Sequence, residues 1–183
     1  LVIEAAPEIE SIKTDIFAKL DAIVKPEAIL ATNTSSIPVI KMAQATNRPG
    51  QVVGVHFFNP VPIMPLVDII SSLTPEESAA TAVYDYVKDT LGKTAVRAGD
   101  RAGFIVNALL IPYLTSAVRM LESGYATKED IDAAMKGGAG YPMGPLTLID
   151  TVGLDITLNA AQSLYDEFAE PHYAPPALLR RMV

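Results

Sequence analysis

The chain has 183 residues, half of them hydrophobic, and its 14 basic and 21 acidic residues give a formal net charge of −7. The acidic balance and the scattered basic residues argue against a nucleic-acid partner, and the lack of cysteine excludes disulfides and thiolate chemistry. The longest apolar stretch, residues 104–118, is too short and too polar to span a membrane, so we expect no membrane partner and a cytoplasmic protein.

Residues 1–100 alternate apolar, strand-like runs with segments whose apolar residues recur at helical spacing. Residues 74–77 (Thr-Pro-Glu-Glu) have the pattern of a capping box, and Ser36 is predicted to cap a short helix. The predicted elements are strands at 1–5, 28–32, 51–58, 65–71 and 93–97, and helices at 8–24 and 74–91. This alternation predicts an open, mostly parallel α/β sheet with His56 and Asp68 near one edge.

From residue 101 onward the pattern indicates helices alone. The predicted helices are residues 104–122, a segment capped by Thr127 that ends at 137–138, and residues 146–152, 154–168 and 177–183. We therefore predict two domains, an α/β domain at 1–100 and a helical domain at 101–183. Both ends of the sequence cut through apparent elements, so we expect an internal fragment of a longer protein.

One of the two histidines and a lone carboxylate lie inside apolar, strand-like runs. His56 lies in Gly-Val-His-Phe-Phe-Asn-Pro at residues 54–60, and Asp68 lies in Leu-Val-Asp-Ile-Ile at residues 66–70. A carboxylate among such residues is costly to ionise without a partner, and an imidazole on the neighbouring strand is the nearest one. A pair of this kind can take and return a proton near neutral pH. A core histidine and a buried structural acid are the alternatives.

Further polar residues follow predicted strands or enter on a helix. Ser35 lies just past the carboxyl end of a strand, where open α/β sheets hold ligands. Asn59 follows the strand of His56, and Asn107 lies on the first long helix. Local capping is the alternative for Ser35, and a buried structural hydrogen bond is the alternative for Asn107. The sequence has no cluster with metal-ligand spacing.

Five longer stretches together carry a resemblance. They are Val-Ile-Glu-Ala-Ala-Pro-Glu at residues 2–8, Asn-Thr-Ser-Ser at 33–36, His-Phe-Phe-Asn-Pro-Val-Pro at 56–62, Gly-Phe-Ile-Val-Asn at 103–107 and Gly-Ala-Gly-Tyr-Pro-Met-Gly-Pro at 138–145. With them the chain resembles the L-3-hydroxyacyl-CoA dehydrogenase family, most closely its bacterial 3-hydroxybutyryl-CoA branch. The resemblance implies the C-terminal part of a Rossmann-like dinucleotide-binding domain, followed by an all-α domain like the C-terminal domain of 6-phosphogluconate dehydrogenase.

The resemblance also implies an activity. It is the oxidation of an (S)-3-hydroxyacyl-CoA, such as 3-hydroxybutyryl-CoA, to the 3-ketoacyl-CoA in fatty-acid and butanoate metabolism. His56 matches the general base, and Asp68 stands where the family usually has glutamate, which orients the imidazole. Ser35 matches a serine that contacts both substrate oxygen and cofactor, and Asn107 an asparagine near the reacting end of the substrate. A homodimer through the helical domain is implied as well.

The cofactor implied by the resemblance is NAD, or else NADP. Glu8, Lys13, Ser35 and Asn59 match residues on the cofactor side, although Glu8 and Lys13 could equally form a solvated helix surface. The 183 residues contain no Gly-x-Gly-x-x-Gly fingerprint after a strand. We therefore expect them to bind NAD weakly and to be inactive by themselves.

Two other functions fit the sequence. One is a related dehydrogenase of a free hydroxy acid, such as a sugar acid, which turnover of 3-hydroxybutyryl-CoA against a free hydroxy acid would distinguish. The other is a non-catalytic dimerisation module, which the polar residues around His56 disfavour.

Overall fold

The computed structural model of the protein describes residues 1–73 and 76–183, and Thr74 and Pro75 of the predicted capping box lie outside the described residues. The chain divides into two compact units, Leu1–Phe104 and Ile105–Val183, whereas the predicted domains meet at residue 100. The Asp100 carboxylate binds backbone N–H groups of residues 39 and 40, which ties this segment to the first unit. None of the described helices is long and apolar enough to cross a membrane.

The first unit is built on a five-stranded sheet whose strands lie side by side in chain order. They are β1 Val2–Glu4, β2 Leu30–Thr32, β3 Val52–Phe57, β4 Leu66–Ser71 and β5 Thr94–Gly99. β4 runs antiparallel to β3, and the other pairings are parallel. The mostly parallel sheet is confirmed, but the predicted edge position of His56 is wrong, because β4 and β5 continue the sheet beyond β3.

Helices cover both faces of this sheet. They are α1 Glu10–Ile23, α2 Val39–Gln44 and α3 Glu77–Asp85, which continues as a π-helical turn Tyr86–Thr90, and a short 3₁₀ turn Pro49–Gln51 precedes β3. Alternate strand residues point to opposite faces, so Val53 and Val55 pack with α3 while Val52 packs with α1 and α2. His56 lies four residues after Val52 on β3, so its side chain points to the same face, the one covered by α1 and α2.

The predicted capping of α2 by Ser36 is wrong. Pro38 occupies the N-cap position and gives no side-chain cap. The N–H groups of Val39 and Ile40 instead donate to the Asp100 carboxylate at 2.7 and 2.8 Å. An ionised carboxylate accepts from orphan N–H groups at a helix start more strongly than a hydroxyl does. Asp100 lies 61 residues away from Val39 in the sequence, so no local pattern indicates it.

The second unit contains helices alone, as predicted. They are α4 Val106–Glu122, α5 Lys128–Ala139, α6 Pro145–Val152, α7 Leu154–Phe168 and α8 Ala177–Met182. The Thr127 cap is confirmed, since its hydroxyl accepts from the N–H of Asp130 at 3.1 Å. The predicted end of α5 at residues 137–138 is wrong. The helix runs to Ala139 and stops at Gly140, whose φ of 73° suits a residue without a β-carbon.

Candidate active site

His56 and Asp68 face each other across the antiparallel strands β3 and β4. The two residues are paired in register, so both side chains lie on the same face of the sheet. The imidazole Nδ1 lies 3.3 Å from the Asp68 Oδ2, and the two residues are 5% and 1% exposed. The geometry places a hydrogen-bonded His–carboxylate pair out of contact with bulk water.

Ser35 meets the other nitrogen of the same imidazole. Its hydroxyl Oγ lies 3.1 Å from the His56 Nε2, in the loop that follows β2. Ser35 is exposed whereas His56 is buried, so the hydroxyl stands at the surface end of the line from Ser35 to His56 to Asp68. With the Asp68 carboxylate accepting the proton on Nδ1, the assigned tautomer leaves Nε2 free to take a proton.

Two aromatic rings border the imidazole. The centroids of Phe58 and Phe104 lie 4.5 and 5.4 Å from that of His56. Phe104 has a φ of 47°, which residues with a β-carbon rarely adopt, and it follows Gly103, whose φ is also positive. Phe104 was given no role from the sequence alone. The sequence feature next to it is Gly103, since glycine adopts a positive φ without steric cost and so marks a turn at this point.

Asn33 is a second residue whose role was not predicted from the sequence. Its Oδ1 accepts the N–H of Phe57 at 2.9 Å and so joins the loop after β2 to the strand that carries His56. The sequence feature that could have indicated this role is the position of Asn33 directly after β2, within Asn-Thr-Ser-Ser at residues 33–36.

Glu8 and Lys13, predicted on the cofactor side, lie at the carboxyl ends of β1 and β2. Lys13 is fully buried, and its Nζ donates to Glu4 Oε1 at 2.8 Å. Glu8 Oε1 accepts from the N–H groups of Ser35 and Ser36, both at 2.9 Å. Burial raises the pKa of Glu8, but these bonds, that of Thr34 and the Lys13 charge outweigh it and hold the pKa below its usual value of 4.5. Cofactor binding by Glu8 and Lys13 stays a prediction.

The two remaining predicted residues lie on other elements of the chain. Asn59 is exposed in the turn between β3 and β4, and its contact with nicotinamide stays a prediction. Asn107 lies in the first turn of α4, in the helical unit, and its role at the substrate also stays a prediction. Within residues 1–73 and 76–183, no group of three or more acidic or histidine side chains could hold a metal ion.

Two family models match the chain from end to end. Residues 1–101 match "3-hydroxyacyl-CoA dehydrogenase, NAD binding domain", and residues 103–183 match "3-hydroxyacyl-CoA dehydrogenase, C-terminal domain". The chain belongs to the 3-hydroxyacyl-CoA dehydrogenase family. The resemblance noted in the sequence is thereby confirmed.

Curated members of the 3-hydroxyacyl-CoA dehydrogenase family align with the whole chain. The chain is 54% identical to a 3-hydroxybutyryl-CoA dehydrogenase of Mycobacterium tuberculosis and spans 64% of that protein's length. It is 45% identical to the human mitochondrial hydroxyacyl-coenzyme A dehydrogenase and spans 58% of it. It therefore covers less than two thirds of these relatives.

Solved structures of the 3-hydroxyacyl-CoA dehydrogenase family confirm the fold. The chain superposes with a TM-score of 0.97 on M. tuberculosis FadB2, at 53% identity, covering 99% of this chain and 64% of that one. It superposes with a TM-score of 0.95 on the (S)-3-hydroxybutyryl-CoA dehydrogenase PaaH1 of Ralstonia eutropha, at 42% identity and the same coverage. The α/β unit with a helical unit after it is the architecture that the sequence predicted.

The residues at the carboxyl ends of β1 and β2 fit the NAD that this family uses. Open α/β sheets hold dinucleotides at this end of parallel strands. There the structure places an exposed Ser35 hydroxyl and a Glu8 carboxyl that is 37% exposed, which suit the hydroxyl-rich nicotinamide riboside end of NAD. The pyrophosphate needs backbone N–H groups of a glycine-rich turn, and the 183 residues contain no such fingerprint.

Proposed function

We propose that the full-length protein oxidises (S)-3-hydroxyacyl-CoA, with 3-hydroxybutyryl-CoA as its substrate, to the 3-ketoacyl-CoA. The observation that carries the proposal is the line from the exposed Ser35 hydroxyl to His56 Nε2, at 3.1 Å, and from Nδ1 to Asp68, at 3.3 Å. Hydride leaves a secondary alcohol only if the hydroxyl proton leaves with it, so the reaction needs a base at this position. The family match over the whole chain supports the same reaction.

Each residue of the line has one task in this mechanism. Asp68 accepts the Nδ1 proton of His56 and keeps Nε2 free to remove the proton from the substrate hydroxyl. The Ser35 hydroxyl donates to the same substrate oxygen and stabilises the charge that develops on it. Phe58 and Phe104 keep water from the imidazole. When bound, NAD supplies the hydride acceptor. Asn107 near the reacting end of the substrate and Asn59 near nicotinamide remain parts of the proposal.

Replacing the base tests the catalytic assignment. In the full-length protein, His56→Gln is expected to lower kcat for 3-hydroxybutyryl-CoA by about 10²-fold or more, because the amide cannot take the proton. His172→Gln is the matched control, since His172 is exposed in a loop of the helical unit and is the other histidine of the sequence. NADH formation measures both variants. Normal turnover by His56→Gln would contradict the proposed role of His56 as the base.

Substrate choice is tested separately. Turnover of 3-hydroxybutyryl-CoA is compared with that of a free hydroxy acid, such as a sugar acid. Faster turnover of the free acid would assign the protein to the related hydroxy-acid dehydrogenases. A full-length protein that oxidises neither substrate would instead favour the non-catalytic dimerisation module.

A second candidate function is acyl transfer, since Ser35, His56 and Asp68 are ordered as nucleophile, base and orienting acid. Such chemistry needs N–H donors for an oxyanion beside the serine. The N–H groups of Ser35 and Ser36 are both bound to the Glu8 carboxylate, whose charge opposes an oxyanion there. The dehydrogenase is therefore favoured. Release of free CoA thiol from 3-hydroxybutyryl-CoA without NAD would reverse that preference.

The proposal also covers the assembly. We propose a homodimer through the helical unit, where Leu109 of α4 leaves 73% of its surface exposed. An apolar side chain this exposed on a helix with a packed opposite face is typical of an interface. The cytoplasm stays the predicted compartment, and NAD rather than NADP the preferred cofactor.

A further inference from the structure

The Asp100 carboxylate joins two segments of the α/β unit that are 61 residues apart in the sequence. Asp100 lies directly after β5, and its Oδ1 and Oδ2 accept the N–H groups of Val39 and Ile40 at 2.7 and 2.8 Å. Hydrogen bonds to an ionised acceptor are roughly twice as strong as neutral ones. A helix of six residues is not stable by itself, so this contact fixes the first turn of α2.

One of the two segments carries Ser35, which lies four residues before Val39. The chain between them is short and stiff, because Pro38 restricts the backbone and the Thr34 hydroxyl accepts a backbone N–H three residues further on at 2.9 Å. A shift of the first turn of α2 is therefore transmitted to Ser35. The Ser35 Oγ lies 3.1 Å from His56 Nε2, so such a shift changes this contact.

The other segment carries Phe104, which lies four residues after Asp100. Phe104 has a φ of 47°, and residues with a β-carbon keep such a φ only where the surrounding structure holds them. The Phe104 ring packs against the buried cluster that contains Val39, and its centroid lies 5.4 Å from that of His56. The N–H groups of residues 101 and 104 each close a turn, so the chain from Asp100 to Phe104 is compact.

We propose that Asp100 is a positioning residue, which holds Ser35 and Phe104 on two sides of the His56 imidazole by binding the start of α2. The inference rests on the proposed function and goes beyond it, because it gives a role in turnover to a residue outside the line of Ser35, His56 and Asp68. A displacement of about 1 Å near the reacting groups can cost up to about 10²-fold in rate. This cap is therefore expected to affect turnover as well as stability.

Asp132 offers a matched control for Asp100, since it makes the same kind of cap in the helical unit. Its carboxylate accepts the N–H groups of Leu146 and Thr147 at the start of α6, at 2.8 and 2.9 Å. In the full-length protein, Asp100→Asn and Asp132→Asn are both expected to lower the midpoint of urea denaturation. Asp100→Asn is expected to lower kcat for 3-hydroxybutyryl-CoA by about 10-fold, and Asp132→Asn to leave kcat within about twofold of the parent.

A double-mutant cycle separates positioning from a general loss of structure. In a background that carries Ser35→Ala and Phe104→Leu, Asp100→Asn is expected to alter kcat by less than about twofold, because neither group is left to be placed. NADH formation per folded protein measures all variants. An equal loss of kcat in the two backgrounds, or an equal loss in Asp100→Asn and Asp132→Asn, would overturn the inference.

A readout without turnover separates this inference from the proposed function. The ring nitrogens of His56 are observed by NMR and assigned with His56→Gln. Asp100→Asn is expected to shift the Nε2 signal, because Ser35 and Phe104 both move relative to the imidazole, whereas Asp132→Asn is expected to leave it in place. An unchanged Nε2 signal in Asp100→Asn would refute the positioning role, even for a protein that proves inactive towards 3-hydroxybutyryl-CoA.

A second variant covers the case in which Asp100→Asn does not fold. Asp100→Glu keeps the negative charge and moves the carboxylate by one methylene, so the cap is displaced rather than removed. It is expected to shift the His56 Nε2 signal in the same sense and to lower kcat, in the presence of Ser35 and Phe104 alone. An Asp100→Glu protein with the kcat and the Nε2 signal of the parent would also refute the inference.

Discussion

Asp68 holds His56 with one carboxylate oxygen, while its other oxygen, Oδ1, is buried without a hydrogen-bond partner. The 3.3 Å contact is longer than the roughly 2.7–2.9 Å of charge-assisted bonds. Aspartate is one methylene shorter than the glutamate that the family resemblance implies at this position, and a carboxylate that stops short of the imidazole fits both facts. The register of β3 and β4 brings the two side chains together directly, and Asp68 Oδ1 is left buried without a hydrogen bond.

Replacing Asp68 tests its orienting role. Asp68→Asn is expected to lower kcat by about 10²-fold or more, because an amide can donate to Nδ1 and favour the wrong tautomer. Asp68→Glu keeps a carboxylate and is expected to remain within about tenfold of the parent. Steady-state turnover of the full-length protein measures both. Equal activity of Asp68→Asn and the parent would contradict the orienting role.

The His–carboxylate pair could be predicted from sequence because a lone acid in an apolar strand has few possible partners. The burial of Lys13 could not be predicted. Lys13 lies among apolar residues of α1 such as Ile12 and Ile16, and a lysine on a helix is usually solvated. Its burial depends on Glu4, nine residues away, and on the end of β1. The apolar Ile12 is exposed instead, at 39%.

At the level of elements, β3 and α2 approach each other closely at Gly54. A β-carbon there would lie 2.7 Å from Ile70 Cβ and 2.9 Å from Val39 Cγ2, both shorter than real contacts. Glycine in the middle of a strand commonly marks such an approach. The spacing of β3 and α2, and so the place of His56, depends on this missing side chain.

Gly54→Ala is expected to lower the free energy of unfolding by about 1–3 kcal/mol, because the strand and helix must move apart. Gly137→Ala is the matched control. It lies inside α5, where an added β-carbon would meet no atom from beyond its own stretch of helix within 4 Å, and alanine is more stable than glycine in a helix by about 0.5–1 kcal/mol. Urea denaturation measures both variants. An equal change in the free energy of unfolding for Gly54→Ala and Gly137→Ala would contradict the close packing at Gly54.

In the helical unit, Asp132 of α5 caps the start of α6. Its Oδ1 accepts the N–H of Leu146 at 2.8 Å, and its Oδ2 accepts the N–H and hydroxyl of Thr147 at 2.9 and 2.6 Å. Burial raises the pKa of Asp132, but these bonds and the Lys128 charge hold it below the usual 3.8. A lowered pKa means that the cap stabilises the fold above the unfolded pKa and is lost as the pH falls through the folded one.

Asp132→Asn is therefore expected to lower the free energy of unfolding by about 1–2 kcal/mol at neutral pH. The difference from the parent is expected to shrink as the pH falls below the usual value of 3.8. Denaturation at several pH values measures this difference in stability, with Asp166→Asn, at an exposed aspartate of α7, as the control. A stability difference between parent and Asp132→Asn that grows as the pH falls would contradict the lowered pKa of Asp132.

Periodicity predicted which segments are helical, but where a helix begins can depend on a residue far away in the sequence. The bounds of α7 were predicted to the residue, since its apolar face is long and regular. α2 has only six residues, and its start is fixed by Asp100 rather than by Ser36. Local propensity decides little for an element this short.

For the whole molecule, the proposed homodimer makes a testable claim about α4. Leu109→Glu is expected to shift the full-length protein towards monomer, because it places a charge in an apolar interface. Leu91→Glu is the matched control, an exposed leucine in the α/β unit. Sedimentation measures both. A Leu109→Glu protein that remains dimeric would exclude this face of α4 from the interface.

The antiparallel pairing of β3 and β4 limits how this hairpin can evolve. His56 and Asp68 are twelve residues apart, and both belong to a single supersecondary unit. An insertion of one residue within either strand would turn one of the two side chains to the opposite face. Length variation in descendants of this chain should therefore concentrate in residues 61–65, where the chain can grow or shrink while the two groups keep facing each other.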